Sequence, residues 1–207
     1  MLRRLVLSAL VVVLSFVVLF ISIYRATINR YEFSGPNNSA SGTVFSTDVE
    51  YSLPYPGVEP DHPLWFFKAI RDKAFLFLTP DSYKRAQRTL LLADSRLVMA
   101  RDLLSRGETT LAVSTAQKAE GYLEDSLAWG RDAGVRGYDV LGFYETLVKS
   151  SLVHREVLEK MMVGAPEEAR PYLNRGVGKA IGVYEQATLS LKEKGRYLPE
   201  SGLETSP

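Results

Sequence analysis

Four stretches of the chain place apolar or small residues at alternating steps of four and three, the spacing that keeps one face of an α-helix turned towards a neighbour. The first stretch carries Ala86, Leu90, Ala93, Leu97, Ala100 and Leu104. The second carries Ala112, Ala116, Ala119 and Leu123. The third carries Val140, Tyr144, Leu147, Ser151, His154, Leu158 and Met161, and the fourth Leu173, Val177, Ala180, Tyr184, Ala187 and Leu191. One shared period predicts an all-α body in which four long helices form a left-handed antiparallel bundle, with neighbouring axes crossing at roughly 20°. No strand-like alternation competes after Glu50.

Punctuation sets the expected boundaries. Thr79-Pro80-Asp81 supplies a capping residue, a proline for the first helical turn and an early acid, so a long helix starts there and runs to Gly107. The next spans about 108–129 and breaks at glycines 130, 134 and 137. Ala-rich seams on both sides of Arg106-Gly107 make this pair a close antiparallel hairpin. The third long helix covers about 138–163, and the fourth follows Gly164-Ala165-Pro166, with Pro171 marking a short first piece or a kink. Gly178 and Gly182, four apart on that helix, offer room for a neighbouring backbone. A short helix over 64–78 precedes the bundle. Phe66, Phe67, Ile70, Ala74, Phe77 and Leu78 share its main apolar face, and Trp65, Ala69 and Leu76 a second strip. Such a helix is either buried on two sides or rests partly on lipid; a bundle that needs covering favours burial. The bundle is thus expected over 64–194, as one short and four long helices, with a frayed, disordered tail over 195–207.

Upstream the pattern changes. Residues 5–24 contain no charge. At a rise of roughly 1.5 Å per residue, such a run matches the ~30 Å hydrocarbon core of a bilayer. A single transmembrane helix within an anchor at 1–24 is the reading. A cleavable signal peptide would have a shorter apolar run and a small-residue cleavage site, which is missing near residues 23–29. Arg3, Arg4 and the terminal amine outweigh Arg25 and Arg30, so the chain is expected as a single-pass protein of the cell membrane, its N-terminus cytoplasmic and its C-terminal domain extracytoplasmic. Residues 25–50, rich in Gly, Ser and Asn around 34–47, form a flexible juxtamembrane tether, and prolines at 54, 56, 60 and 63 make 51–63 an extended, polyproline-like segment.

Charge narrows the function classes. Four arginines and no acid precede Glu32, leaving a body with 21 basic and 24 acidic side chains in a chain of 207 residues. That mildly acidic body excludes a phosphate-gripping surface, and no nucleic-acid partner is expected. With no cysteine, thiol nucleophiles, disulfides and Cys-ligated metals are excluded. The one E-x-x-H, Glu59 to His62, lies among prolines rather than on a helix, so no metal and no cofactor is expected. Gly176-Val177-Gly178-Lys179-Ala180-Ile181-Gly182 has the wrong glycine spacing for a dinucleotide loop and follows no strand. No G-x-S-x-G occurs. Asp61 and His62 provide an acid and a base without a nucleophile, so no enzyme is expected and no catalytic residue is assigned.

Two groups of residues remain as candidates. Ser151 and His154 occupy seam positions where Leu would be expected, and with Tyr144 and Tyr184 they form a candidate ligand pocket inside the bundle. Tyr51, Tyr55 and Trp65, on and beside the proline-rich band, form a candidate partner surface, unless the band instead clamps the bundle.

The segment Tyr51-Ser52-Leu53-Pro54-Tyr55-Pro56-Gly57, then Pro60-Asp61-His62-Pro63-Leu64, Arg71-Asp72, the Ala86, Ala93 to Arg96 and Ala100 stretch and Lys118-Ala119-Glu120-Gly121-Tyr122-Leu123, resembles a bacterial family catalogued only as a domain of unknown function. The resemblance covers about 51–127 and implies a membrane-anchored helical hairpin, with no activity and no site residue. The functional expectation is therefore a membrane-anchored extracytoplasmic helical domain, acting as a non-enzymatic interaction or scaffold module. Its partners would be the lipid bilayer, through residues 5–24, and a protein of the membrane or envelope. The alternative is a small-ligand-binding or sensory bundle relaying through a membrane partner.

Overall fold

A computed structural model describes residue 15 and residues 51–57, 60 and 65–195. The expected anchor apart from Ser15, the tether, the DHP cluster at 61–63 and the tail beyond residue 195 lie outside the described residues. Within them no helix is long and apolar enough to cross a membrane.

The described body is all-α: α1 (Trp65–Phe77), α2 (Ser82–Ser105), α3 (Thr109–Val135), α4 (Leu141–Gly164) and α5 (Arg170–Glu193). The heptad seams reach the core almost residue for residue. Ala86, Ala93, Leu97, Ala100, Ala112, Ala119, Leu123, Leu147, Ser151, His154, Leu158, Ala180 and Ala187 are all completely buried. The alanines bring helix axes close, and the α2–α3 pair is the most extensive contact, followed by α4–α5. Gly107 closes the α2–α3 turn in the left-handed region, at φ +82°. There the Glu108 N–H donates to the Leu103 carbonyl at 3.0 Å, which satisfies one of the last carbonyls of α2.

The arrangement of the two hairpins departs from the all-antiparallel expectation. Gly130 of α3 lies against Phe143 of α4, and Glu120 against His154, so these two helices are antiparallel. However, they meet mainly through side chains across the middle of the bundle. The broader inter-hairpin contacts are α3 with α5 and α2 with α4. Tyr83 meets Phe143, and Asp94 meets Ser150 and His154, so α2 and α4 run parallel. Lys179 meets Glu124 and Arg131 meets Gln186, so α3 and α5 do as well. Heptad spacing specifies which face is buried but not which helix comes next round the ring.

Several local expectations are corrected. The cap of α2 is Asp81, whose carboxylate accepts from Lys84 N–H at 3.1 Å. Thr79 instead ties α1 to α2: it donates to the Phe75 carbonyl at 2.6 Å and accepts from Arg88 at 2.5 Å. Helix α3 runs through Gly130 and Gly134 and ends before Gly137, which adopts φ +88°. It keeps Gly130 because the Phe143 ring occupies that space: an added Cβ would lie 2.5 Å from Phe143 Cε1. Close approach on α5 is made at Gly176, against Leu158, whereas Gly178 and Gly182 face open space. Pro171 sits in the first turn of α5, where a proline costs no hydrogen bond, so no separate piece precedes it.

The largest correction concerns α1. Much of its main apolar face, expected inside, is outside: Phe66, Ile70, Phe77 and Leu78 are 62%, 51%, 83% and 45% exposed, while Ala74 is partly buried. The four long helices close their core on one another, and the backbone of α1 comes close only to that of α2. The second strip, beginning at Trp65, is the one that packs, with Arg96 5.9 Å and Lys118 5.7 Å from the Trp65 ring.

Candidate functional site

The centre of the bundle holds a closed cluster of polar side chains from four parts of the chain. His154, on the buried seam of α4, lies between two acids. Its Nδ1 is 2.7 Å from Glu120 Oε1 on α3, and its Nε2 is 3.1 Å from Asp94 Oδ1 on α2. Ser150, one turn earlier on α4, donates to the same Asp94 oxygen at 2.7 Å. Tyr51, from the proline-rich segment, donates to Asp94 Oδ2 at 2.5 Å. Asp94, Glu120, Ser150 and His154 are excluded from solvent.

Such burial is tolerated only when charge is paired and hydrogen bonds are made. Burial alone pulls the pKa of the His154 ring down, but the Glu120 charge and the hydrogen bonds that the ring donates to Asp94 and Glu120 together outweigh it and raise it to about 9. At neutral pH the ring is therefore a cation donating from both nitrogens. The Tyr51 hydroxyl is held well above its ordinary range, first by burial and then by the adjacent Asp94 charge. Glu120 Oε2 is buried and makes no hydrogen bond among the described residues. Arg96 stacks its guanidinium 4.9 Å from the Tyr122 ring and lies on the Trp65 side of the same region.

The cluster contains a serine, a histidine and acids, yet its connections are not those of a nucleophilic triad. Ser150 donates its hydrogen bond to Asp94 rather than to His154, both imidazole nitrogens are taken by carboxylates, and the four side chains are shut off from solvent. Among the described residues no group of three or more acids and histidines is arranged to hold a metal ion. The arrangement ties α2, α3, α4 and the extended segment in one register, because a shift of any of them would strand a buried charge.

The residues singled out in the sequence are dispersed. Ser151 is buried beside the cluster, but its hydroxyl donates to its own helix at Val148, 2.9 Å away. Tyr144 lies ten residues from His154, about 15 Å along α4, and belongs with Tyr184 to the apolar cluster at the other end of the bundle. The four do not form one pocket. A cleft of about 230 Å³ does exist, but between the C-terminal ends of α2 and α4, lined by Arg101, Leu104, Val157 and Met161 among others. Of the candidate surface, Tyr55 is 73% exposed, Trp65 is half-buried against Arg96 and Lys118, and Tyr51 turns its hydroxyl into the cluster.

Residues 51–57 are thus a strap. Leu53 is buried with Leu97, Val98 and Val157, and Lys68 of α1 donates to the Pro56 carbonyl at 2.8 Å. Asp94, Glu120 and Ser150 were not singled out from the sequence. Their signal was present but faint: each stands one position from a seam residue, still on the inward side of a helix covered on two flanks. Comparison of the chain with family models, curated proteins and solved structures finds no match.

Proposed function

We propose that this chain is a membrane-anchored, non-enzymatic docking module whose rigid bundle presents the outward face of α1 on the extracytoplasmic side of a cell membrane. The observation that carries the reading is that face, with Phe66, Ile70, Phe77 and Leu78 exposed together beside a core that is otherwise closed. The uncharged run at 5–24 supports the anchor, and the polar strap cluster supports a stiff scaffold over a ligand-binding bundle. The motif segment over 51–127 supports kinship with the uncharacterised bacterial family.

A chain without cysteine allows a direct test. Single cysteines at Ile70, Phe77 and, as an exposed control on α5, Asn174 are treated with a membrane-impermeant maleimide on intact cells and again after detergent extraction. Asn174→Cys is expected to label in both; Ile70→Cys and Phe77→Cys are expected to label only after extraction. Equal labelling of all three on cells would overturn the docking reading, and labelling of Asn174→Cys only after lysis would overturn the orientation.

A further inference from the structure

The charge around the α1 face and the path of the chain narrow what can cover it. On a helical wheel Phe66, Ile70 and Phe77 fall within about 40° of one another, and Lys73 stands at their edge. The rest of the helix carries Lys68 and Arg71 against a single acid, Asp72, which Arg71 pairs at 2.9 Å. Apolar residues flanked by a basic side chain whose stem can lie along them, on a helix with a positive balance, are the composition of helices that rest in a lipid interface. The body as a whole has more acids than bases, so this positive balance is local.

The chain path points the same way. Beyond the strap lie fifty residues, of which 5–24 are uncharged and 34–47 have a spacer's composition. The strap enters the bundle beside α1: Tyr51 meets Asp94, while Trp65 packs near Arg96 two residues further along α2, and Lys68 holds the Pro56 carbonyl. A flexible spacer of 26 residues would span about 25–30 Å root-mean-square, a length that would keep the apolar stripe within reach of the bilayer holding the proposed anchor. The membrane is then the surface this face meets at the highest effective concentration.

We infer that α1 lies flat on the membrane that anchors the chain, its Phe66, Ile70 and Phe77 side chains in the interface of an anionic leaflet and Lys73 at the headgroups. The inference rests on the docking reading and names its occupant. The Lys68–Pro56 hydrogen bond and the contacts of Trp65 with Arg96 and Lys118 join the helix to the bundle, so the bundle stands at a preferred orientation over the lipid.

The test uses the full chain reconstituted into vesicles. Single cysteines at Ile70, Phe77 and Asn174 carry an environment-sensitive fluorophore, and the vesicles are phosphatidylcholine, with or without about a third phosphatidylglycerol, containing acyl-chain-brominated lipid as quencher. At Ile70 and Phe77 the emission is expected to shift to the blue and to lose roughly half its intensity to the quencher, more in the anionic vesicles. Asn174 is expected to be unaffected. Lys73→Glu is expected to remove the preference for anionic lipid, and high salt to weaken it. Absence of quenching at both positions would overturn the inference. If those positions remain shielded on cells, a protein covers the face and the docking reading stands; if they also label freely there, both fall. Shielding that grows with protein density, with energy transfer between chains, would assign the face to a second copy and likewise overturn the lipid assignment.

Discussion

His154 is the residue whose environment says most about this protein. The imidazole is buried between Glu120 and Asp94, and its affinity for the proton is raised from the ordinary 6.5 to about 9. A group whose folded value is raised contributes stability that is fully present below about pH 6.5, declines as pH rises, and is lost above about 9. Tyr51, also raised, acts in the same direction at higher pH. The melting temperature is therefore expected to fall by roughly 5–10 °C between about pH 6.5 and 9.5. In His154→Gln, which keeps hydrogen-bonding atoms but cannot carry the charge, the protein is expected to be less stable at neutral pH and to lose most of this slope. Thermal melts followed by circular dichroism across that range decide the matter; an unchanged slope in His154→Gln would place the titrating group elsewhere.

Helices α3 and α5 carry glycines that look alike in sequence and differ in what surrounds them. At Gly130 a methyl group would meet the buried Phe143 ring, whereas at Gly178 and Gly182 it would meet nothing. Gly130→Ala is expected to destabilise by about 1–3 kcal/mol despite the better helix propensity of alanine. Phe143→Leu in the same chain should recover part of that loss. Gly178→Ala and Gly182→Ala are each expected to stabilise by about 0.5–1 kcal/mol. Chemical denaturation of the four variants checks the contrast. This difference was not legible in the chain, since a helix-interior glycine reads the same whether it admits a ring or faces water. The heptad seams were legible, because core burial selects the same face turn after turn.

Across the whole molecule, stability is expected to be uneven. Helices α2 to α5 share one buried core, while the backbone of α1 comes close only to α2 and the helix exposes much of its apolar side-chain area. Its amides are expected to exchange with solvent well before those of α2 and α4, measurable by hydrogen exchange with mass spectrometry. Exchange at α1 as slow as at α4 would show that the helix is held more firmly than its packing implies.

Local pattern was enough for the helical class and the inward face of each long helix. Those follow from residue spacing and from prolines and glycines that restrict the backbone within a few residues. Long-range packing settled which hairpin edges meet, that the strap's Tyr51 joins a cluster with Asp94, Glu120, Ser150 and His154, and that α1 turns its larger apolar face outward. The cluster depends on contacts between residues 34 to 60 positions apart. At that separation no local pattern carries a preference, and the winning arrangement is the one that sets His154 between the two buried acids and closes four long seams before a short one.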